Sequence, residues 1–164
     1  MKKIKIIAII LAIIIILSII ANILTTPNKK ENISKNIQLD IKKCKITKEK
    51  DTHGGFLGDG EYFAQIKCKN VEETIEKRWK KIPLTETLKE AMNLELCDKN
   101  NCKNAFEKYN IPEITEGYYY FLDRHEESTN PNDDKNINKR NSYNFSIALY
   151  NKETKLIYYY ELDT

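Results

Sequence analysis

Nineteen consecutive uncharged residues, Ile6 to Leu24 (IIAIILAIIIILSIIANIL), constrain this chain more than any other feature. Only Ser18 and Asn22 interrupt the apolar run. Wound as a helix, it rises about 28 Å at about 1.5 Å per residue, close to the roughly 30 Å of a hydrocarbon core. The sequence therefore predicts a transmembrane helix over 6–24, with the lipid bilayer as its partner. Lys2, Lys3 and Lys5 supply the basic flank of a signal sequence. A cleavable signal has a shorter apolar core and a small-x-small exit, whereas this run leaves through NILTTP (Asn22 to Pro27), and no cysteine follows before Cys44. An uncleaved, single-pass signal anchor fits better than a cleaved signal peptide.

Positive residues stay preferentially on the cytoplasmic side. Lys2, Lys3 and Lys5 compete with Lys29, Lys30 and Lys35, and the short tail decides: residues 1–5 are placed in the cytoplasm and 25–164 outside the cell. Three of the 27 Lys and Arg precede Ile6, so the remainder balances the 24 Asp and Glu. The net charge of +3 is thus a topology signal, and nucleic acid, which needs a concentrated basic face, is excluded as a partner.

Residues 25–36 (TTPNKKENISKN) are polar and aperiodic and read as a linker, leaving 37–164 for one compact α+β domain. Ile37 to Ile41 and Tyr62 to Cys68 alternate apolar and polar, as half-buried strands do. Asn70 to Glu73 and Thr87 to Glu90 carry capping signatures that open short helices, the first running to Trp79, and Asn101 to Tyr109 supplies a third. Tyr118 to Leu122, Tyr143 to Tyr150 and Leu156 to Leu162 are strands rich in aromatic and β-branched residues, with Asn151 to Thr154 as a hairpin turn. Glu126 to Asn141 is a solvated loop. The expected domain is an antiparallel sheet covered on one face by two or three short helices.

Four of the five glycines, Gly54, Gly55, Gly58 and Gly60, fall within the segment DTHGGFLGDG (Asp51 to Gly60). Glycine permits positive φ and close backbone approach. Asp51, His53 and Asp59 are then polar groups on a shaped loop, with His53 and Asp59 as candidate catalytic residues, or the segment is simply a hairpin connection. Neither phosphate-binding glycine pattern is present. Asp123, Arg124 and His125 follow the tyrosine-rich strand; Arg124 is suited to an anionic group or to an ion pair at a strand end, and His125 is the second candidate catalytic imidazole. If the sheet joined these two segments, hydrolase or metal chemistry through His53 and His125 would have its groups in one place. No cofactor or resident metal is expected: Asn132 to Asn138 only loosely resembles a calcium loop, lacking its glycine and closing glutamate.

Four cysteines in an oxidising setting make two disulfides. Cys44 and Cys68 flank the glycine-rich loop almost symmetrically and Cys97 and Cys102 enclose a turn, so these two pairs are preferred to a zinc site. The tyrosine-rich strands also offer aromatic surface for glycan or peptide, although strand propensity explains them equally well.

The segments DTHGGFLGDG (Asp51 to Gly60), RWKKIPL (Arg78 to Leu84), GYYYFLDRH (Gly117 to His125) and RNSYNFSIALY continuing to YYYELDT (Arg140 to Thr164) resemble an uncharacterised family of small exported or membrane-anchored proteins of Gram-positive bacteria. The resemblance implies no activity and supplies no catalytic residue. Its members commonly carry His where this chain has Leu57, which argues against metal chemistry at the loop. The expected function is an extracytoplasmic binding domain facing an envelope protein or wall component. Its contact residues are Asp51, His53, Gly54, Gly55, Asp59, Gly60, Asp123 and Arg124. A small hydrolase or metal-dependent enzyme is the alternative.

Overall fold

A computed structural model describes residues 15, 28–54, 58–98 and 101–164. The first complete element, helix α1 (Lys29–Ile37), starts where the Asn28 side chain accepts from Lys30 N at 3.1 Å and stops where Gln38 turns left-handed at φ 50°. Its two apolar residues, Ile33 and Ile37, stand one turn apart and are both buried. The stretch expected to be a linker is thus largely a packed helix, and Ile37 ends it instead of opening a strand.

The chain continues through β1 (Lys45–Asp51), β2 (Gly60–Lys67), α2 (Glu72–Arg78), β3 (Lys80–Lys81), α3 (Glu86–Met92), β4 (Leu96–Asp98), β5 (Asn101–Lys103), α4 (Ala105–Tyr109), β6 (Gly117–Asp123), a 3-10 turn (Ile137–Lys139), β7 (Asn144–Asn151) and β8 (Leu156–Asp163). Six strands form one sheet in the order β1-β2-β8-β7-β6-β3, paired antiparallel throughout. The fourth and fifth strands make a separate hairpin.

Both faces of the sheet are covered. One carries Tyr62, Ala64, Ile66, Ile157, Tyr159, Ala148 and Tyr150, packed under Ile33 and Ile37 of α1 and under Ile75 and Trp79 in and after α2. The other carries Phe63, Phe145, Ile147, Leu149, Tyr158, Tyr160 and Leu162, packed under Leu88 and Met92 of α3, Tyr109 of α4, and Ile137. The expectation of a sheet covered on one face is therefore corrected. Alternate residues of β7 and β8 are apolar on both sides, the composition of strands buried twice.

The membrane part of the expected fold is corrected as well. No helix among the described residues is long and apolar enough to cross a membrane. At nine residues α1 extends about 14 Å, roughly half a hydrocarbon core. The placement of the chain as a single-pass membrane protein with its domain outside falls with that finding. Apart from helical Ile15, the predicted span over 6–24 and its contact with lipid lie outside the described residues.

Both expected cysteine pairs are present. Cys44 and Cys68 are bonded and buried at the sheet's end, while Cys97 and Cys102 are bonded directly across the β4–β5 hairpin and are exposed. The chain-entropy estimate favours the longer loop, with a separation of 24 against 5 residues. Replacing Cys44 and Cys68 by alanine should cost about 3–4 kcal/mol and replacing Cys97 and Cys102 about 2 kcal/mol, read from urea midpoints. Thiol labelling under graded reductant should open the exposed pair first.

Gly117 starts β6 under the backbone of Tyr150: a Cβ there would lie 1.9 Å from the Tyr150 carbonyl oxygen. Gly54 has room, with nothing nearer than 3.9 Å. Gly117→Ala should therefore lose at least about 1–3 kcal/mol of stability while Gly54→Ala changes little, a contrast that thermal unfolding of the two variants measures.

Candidate functional site

Asp163 is the residue at which the two sequence-flagged segments meet. Strand register places it beside Gly60 of β2 on one side and Asn144 of β7 on the other. Gly60 ends the glycine-rich loop at φ 154°, and a Cβ on it would come within 2.6 Å of His53 N and Cα. The missing Cβ lets the backbone at His53 lie close against the start of β2. On the far side, Arg124 N donates to Asn144 O at 2.8 Å, which holds the corner after β6 against β7.

The side chains form a continuous ionic chain. Lys29 Nζ lies 3.1 Å from Asp51 Oδ2, and His53 Nδ1 lies 2.8 Å from Asp51 Oδ1. His53 Nε2 lies 3.1 Å from Asp163 Oδ2, and an Arg124 guanidinium nitrogen donates to Asp163 Oδ1 at 2.8 Å. Arg124 also donates to Ser146 Oγ at 2.8 Å and to Phe145 O at 3.1 Å. Beyond buried Ser146, Asn36 of α1 donates to Tyr159 Oη at 2.9 Å and to Glu161 Oε1 at 2.8 Å, and the Tyr159 hydroxyl donates to Glu161.

Both ring nitrogens of His53 face carboxylate oxygens, which only accept, so the ring donates to both when doubly protonated. In that arrangement no imidazole lone pair is turned toward solvent for proton abstraction or metal binding. Asp51 would be raised by its partial burial, but hydrogen bonds from His53 and Lys29 outweigh that and hold it below its ordinary 3.8. Burial, and then the charge of Glu161, push the Tyr159 phenol well above its usual range; burial and Glu49 do the same for Tyr62. A cavity of about 170 Å³ opens between α1 and this chain, lined by Lys29, Asn32, Ile33, Asp51, His53, Tyr62 and Glu161. Small-molecule pockets are typically about 300–1,000 Å³, so this one has room for a single side chain of a partner.

The remaining predicted residues are placed differently. His125 belongs to another set of contacts: its Nε2 lies 3.0 Å from Ser142 Oγ, and Glu127 N donates to its Nδ1 at 3.2 Å. Asp123 is buried and accepts from Arg140 with both oxygens, at 2.9 and 2.8 Å, and from His125 N at 3.2 Å. The two histidines therefore share no partner. Asp59 is exposed and its side chain has no partner among the described residues; its carbonyl accepts from Gly54 N at 3.3 Å. Gly55 lies outside the described residues. Among the described residues, no group of three or more His, Cys, Asp or Glu is arranged to hold a metal ion.

Lys29, Asn36, Ser146, Glu161 and Asp163 escaped the sequence reading. Their signal was weak: Ser146 and Glu161 are polar residues interrupting otherwise apolar strands, which marks a buried position with a partner. No family model, curated protein or solved structure matches the chain.

Asp51 is depressed in the fold, so its stabilising contribution is present above its unfolded value and is lost as pH falls through the folded value. Wild-type stability should fall on acidification below about pH 4, and Asp51→Asn should flatten part of that fall by a few tenths of a kcal/mol, given its exposure. Urea midpoints across that interval check the sign.

Proposed function

We propose that this chain is a binding domain, not a catalyst, and that it meets a macromolecular partner where the loop around Asp59 adjoins the His53–Asp163–Arg124 chain. The observation that supports this most directly is the register that puts Asp163 between Gly60 and Asn144, since it brings the loop and the corner into one surface. The charged groups behind that surface are engaged with one another. They fix its shape, as a preorganised contact surface requires. Exposed Asp59 and the cavity beside Lys29 and Tyr62 are left to engage a partner's side chain.

The alternative, a hydrolase using His53, has the close His53–Asp51 pair in its favour. Against it, Nε2 faces Asp163 where a nucleophile or substrate would stand, and His125 belongs to a different set of contacts.

A photo-crosslinking amino acid in place of Asp59 should give one dominant adduct in native extract, and a probe at Lys48 on the outer strand should not. The Asp59 adduct should fall at least about fivefold in an Arg124→Ala background, because the surface loses its support. Equal adducts from both positions, or hydrolysis of ester or peptide reporters abolished by His53→Asn, would overturn the proposal.

A further inference from the structure

Away from that surface, the segment between α4 and β6 leaves a cleft over the second core. It has a volume of about 260 Å³, and its walls include Ile82, Pro83, Leu84, Phe106, Pro112 and Ile114. Ile82, Leu84, Phe106 and Ile114 pack on the core with one side only and stay partly exposed. Glu113 belongs both to this cleft and to an adjoining one of about 300 Å³, whose other walls are Thr115, Glu116, Asn151 and Glu153.

The second cleft is acidic and uncompensated. Glu113, Glu116 and Glu153 are exposed and form no ion pair among the described residues. Two lysines of the β7–β8 turn could have neutralised them, but Lys152 pairs with Glu76 at 3.6 Å and Lys155 with Glu72 at 3.3 Å, both on α2. The cation that does touch the apolar cleft, Lys89, is held by Glu86 at 2.7 Å. Asn151, only 7% exposed, stands on the wall of the acidic cleft. Its Oδ1 accepts from Glu153 N at 2.8 Å and from Thr154 N at 2.9 Å, and its Nδ2 donors have no partner among the described residues. The Asn151 Nδ2 opens onto the cleft, so an amide donor unused by the fold stands beside unpaired carboxylates, a set that suits a carbonyl acceptor accompanied by cations.

We propose that the joined clefts are a docking groove for an extended peptide segment of a partner protein, with apolar side chains followed by lysine or arginine. The apolar residues fill the space between Ile82, Phe106 and Ile114. A peptide carbonyl accepts from Asn151 Nδ2, and the following cations lie against Glu113, Glu116 and Glu153. Apolar anchors then give affinity and the charged rim gives register and salt dependence. The groove lies apart from Asp59 and Arg124, so it stands or falls independently of the contact surface above.

The test is fluorescence anisotropy of the full chain with a labelled Leu-Pro-Leu-Gly-Lys-Lys peptide. Saturable binding that weakens with added salt is expected. The triple variant Glu113→Lys, Glu116→Lys, Glu153→Lys changes exposed residues only and should weaken binding at least about tenfold. Peptides with Glu for Lys, or Ser for Leu, should bind correspondingly worse. Ile82→Ser should abolish binding with an unchanged circular dichroism spectrum; if that variant unfolds, the charge-reversal comparison decides. Absence of saturation, equal affinity of the triple variant, or equal binding of the Glu peptide would overturn the proposal. So would a concentration-dependent dimer that Ile82→Ser dissolves, because the groove would then belong to a second copy.

Discussion

Burying a strand on both faces removes the solvent that its polar side chains would otherwise use; near the end of β8, Tyr159 and Tyr160 are buried and Glu161 and Asp163 are half-buried. Each has drawn in a partner from elsewhere. The Tyr159 hydroxyl and Glu161 recruit Asn36, which ties α1 to one face. The Tyr160 hydroxyl donates to buried Glu61 at 2.9 Å, and Glu61 pairs with Lys108, which ties α4 to the other face. Asp163 takes His53 and Arg124, which fixes the loop and the corner. Removing one member of a buried ion pair such as Glu61–Lys108 costs about 3–5 kcal/mol, so these ties specify where the helices sit as much as the apolar packing does.

The same logic explains the electrostatics. Burial, and then the charge of Glu61, push the Tyr160 phenol far above its usual range, and burial with Glu161 does so for Tyr159. The hydroxyls therefore stay protonated and act as donors to the carboxylates beside them. Aromatic contacts complete the arrangement: Tyr109 stacks on Phe63 with centroids 4.7 Å apart and tilts against Tyr160 at 5.9 Å. The sequence's abundance of tyrosine in strands is accordingly a matter of core packing with a polar tip, and the glycan- or peptide-binding alternative loses its exposed rings at Tyr158, Tyr159 and Tyr160, all of which are buried.

Where local pattern determines structure, the sequence was legible. The period-two faces of Tyr143 to Tyr150 and Leu156 to Leu162 identified β7 and β8, and cysteine placement identified both disulfides. Local signals misled where two of them competed. Asn70 precedes an apparent capping box, but it adopts φ 57° and Val71 opens α2 without a side-chain cap, while α3 is capped from Thr85, two residues ahead of the expected Thr87. In α1 only Ile33 and Ile37 are apolar, so periodicity is faint, although Asn28 followed by Glu31 is an N-terminal signature. The site needed nonlocal register. Nothing near His53 or Arg124 in sequence announces that Asp163 will stand between them, because that depends on which strands neighbour β8.

Internal satisfaction also bounds what the molecule can do. His53, Asp51, Asp123, Arg124 and Glu61 carry the types expected of catalytic residues, yet each is committed to a partner that holds an element in place. Recruiting one for acid–base work would release the segment it anchors, so the residues most suggestive in the sequence are those the fold can least spare. Asp59 at one end and Glu113, Glu116 and Glu153 at another form no ion pair among the described residues and lie on exposed loops or cleft walls. Groups that fold stability does not require are the ones available to a partner.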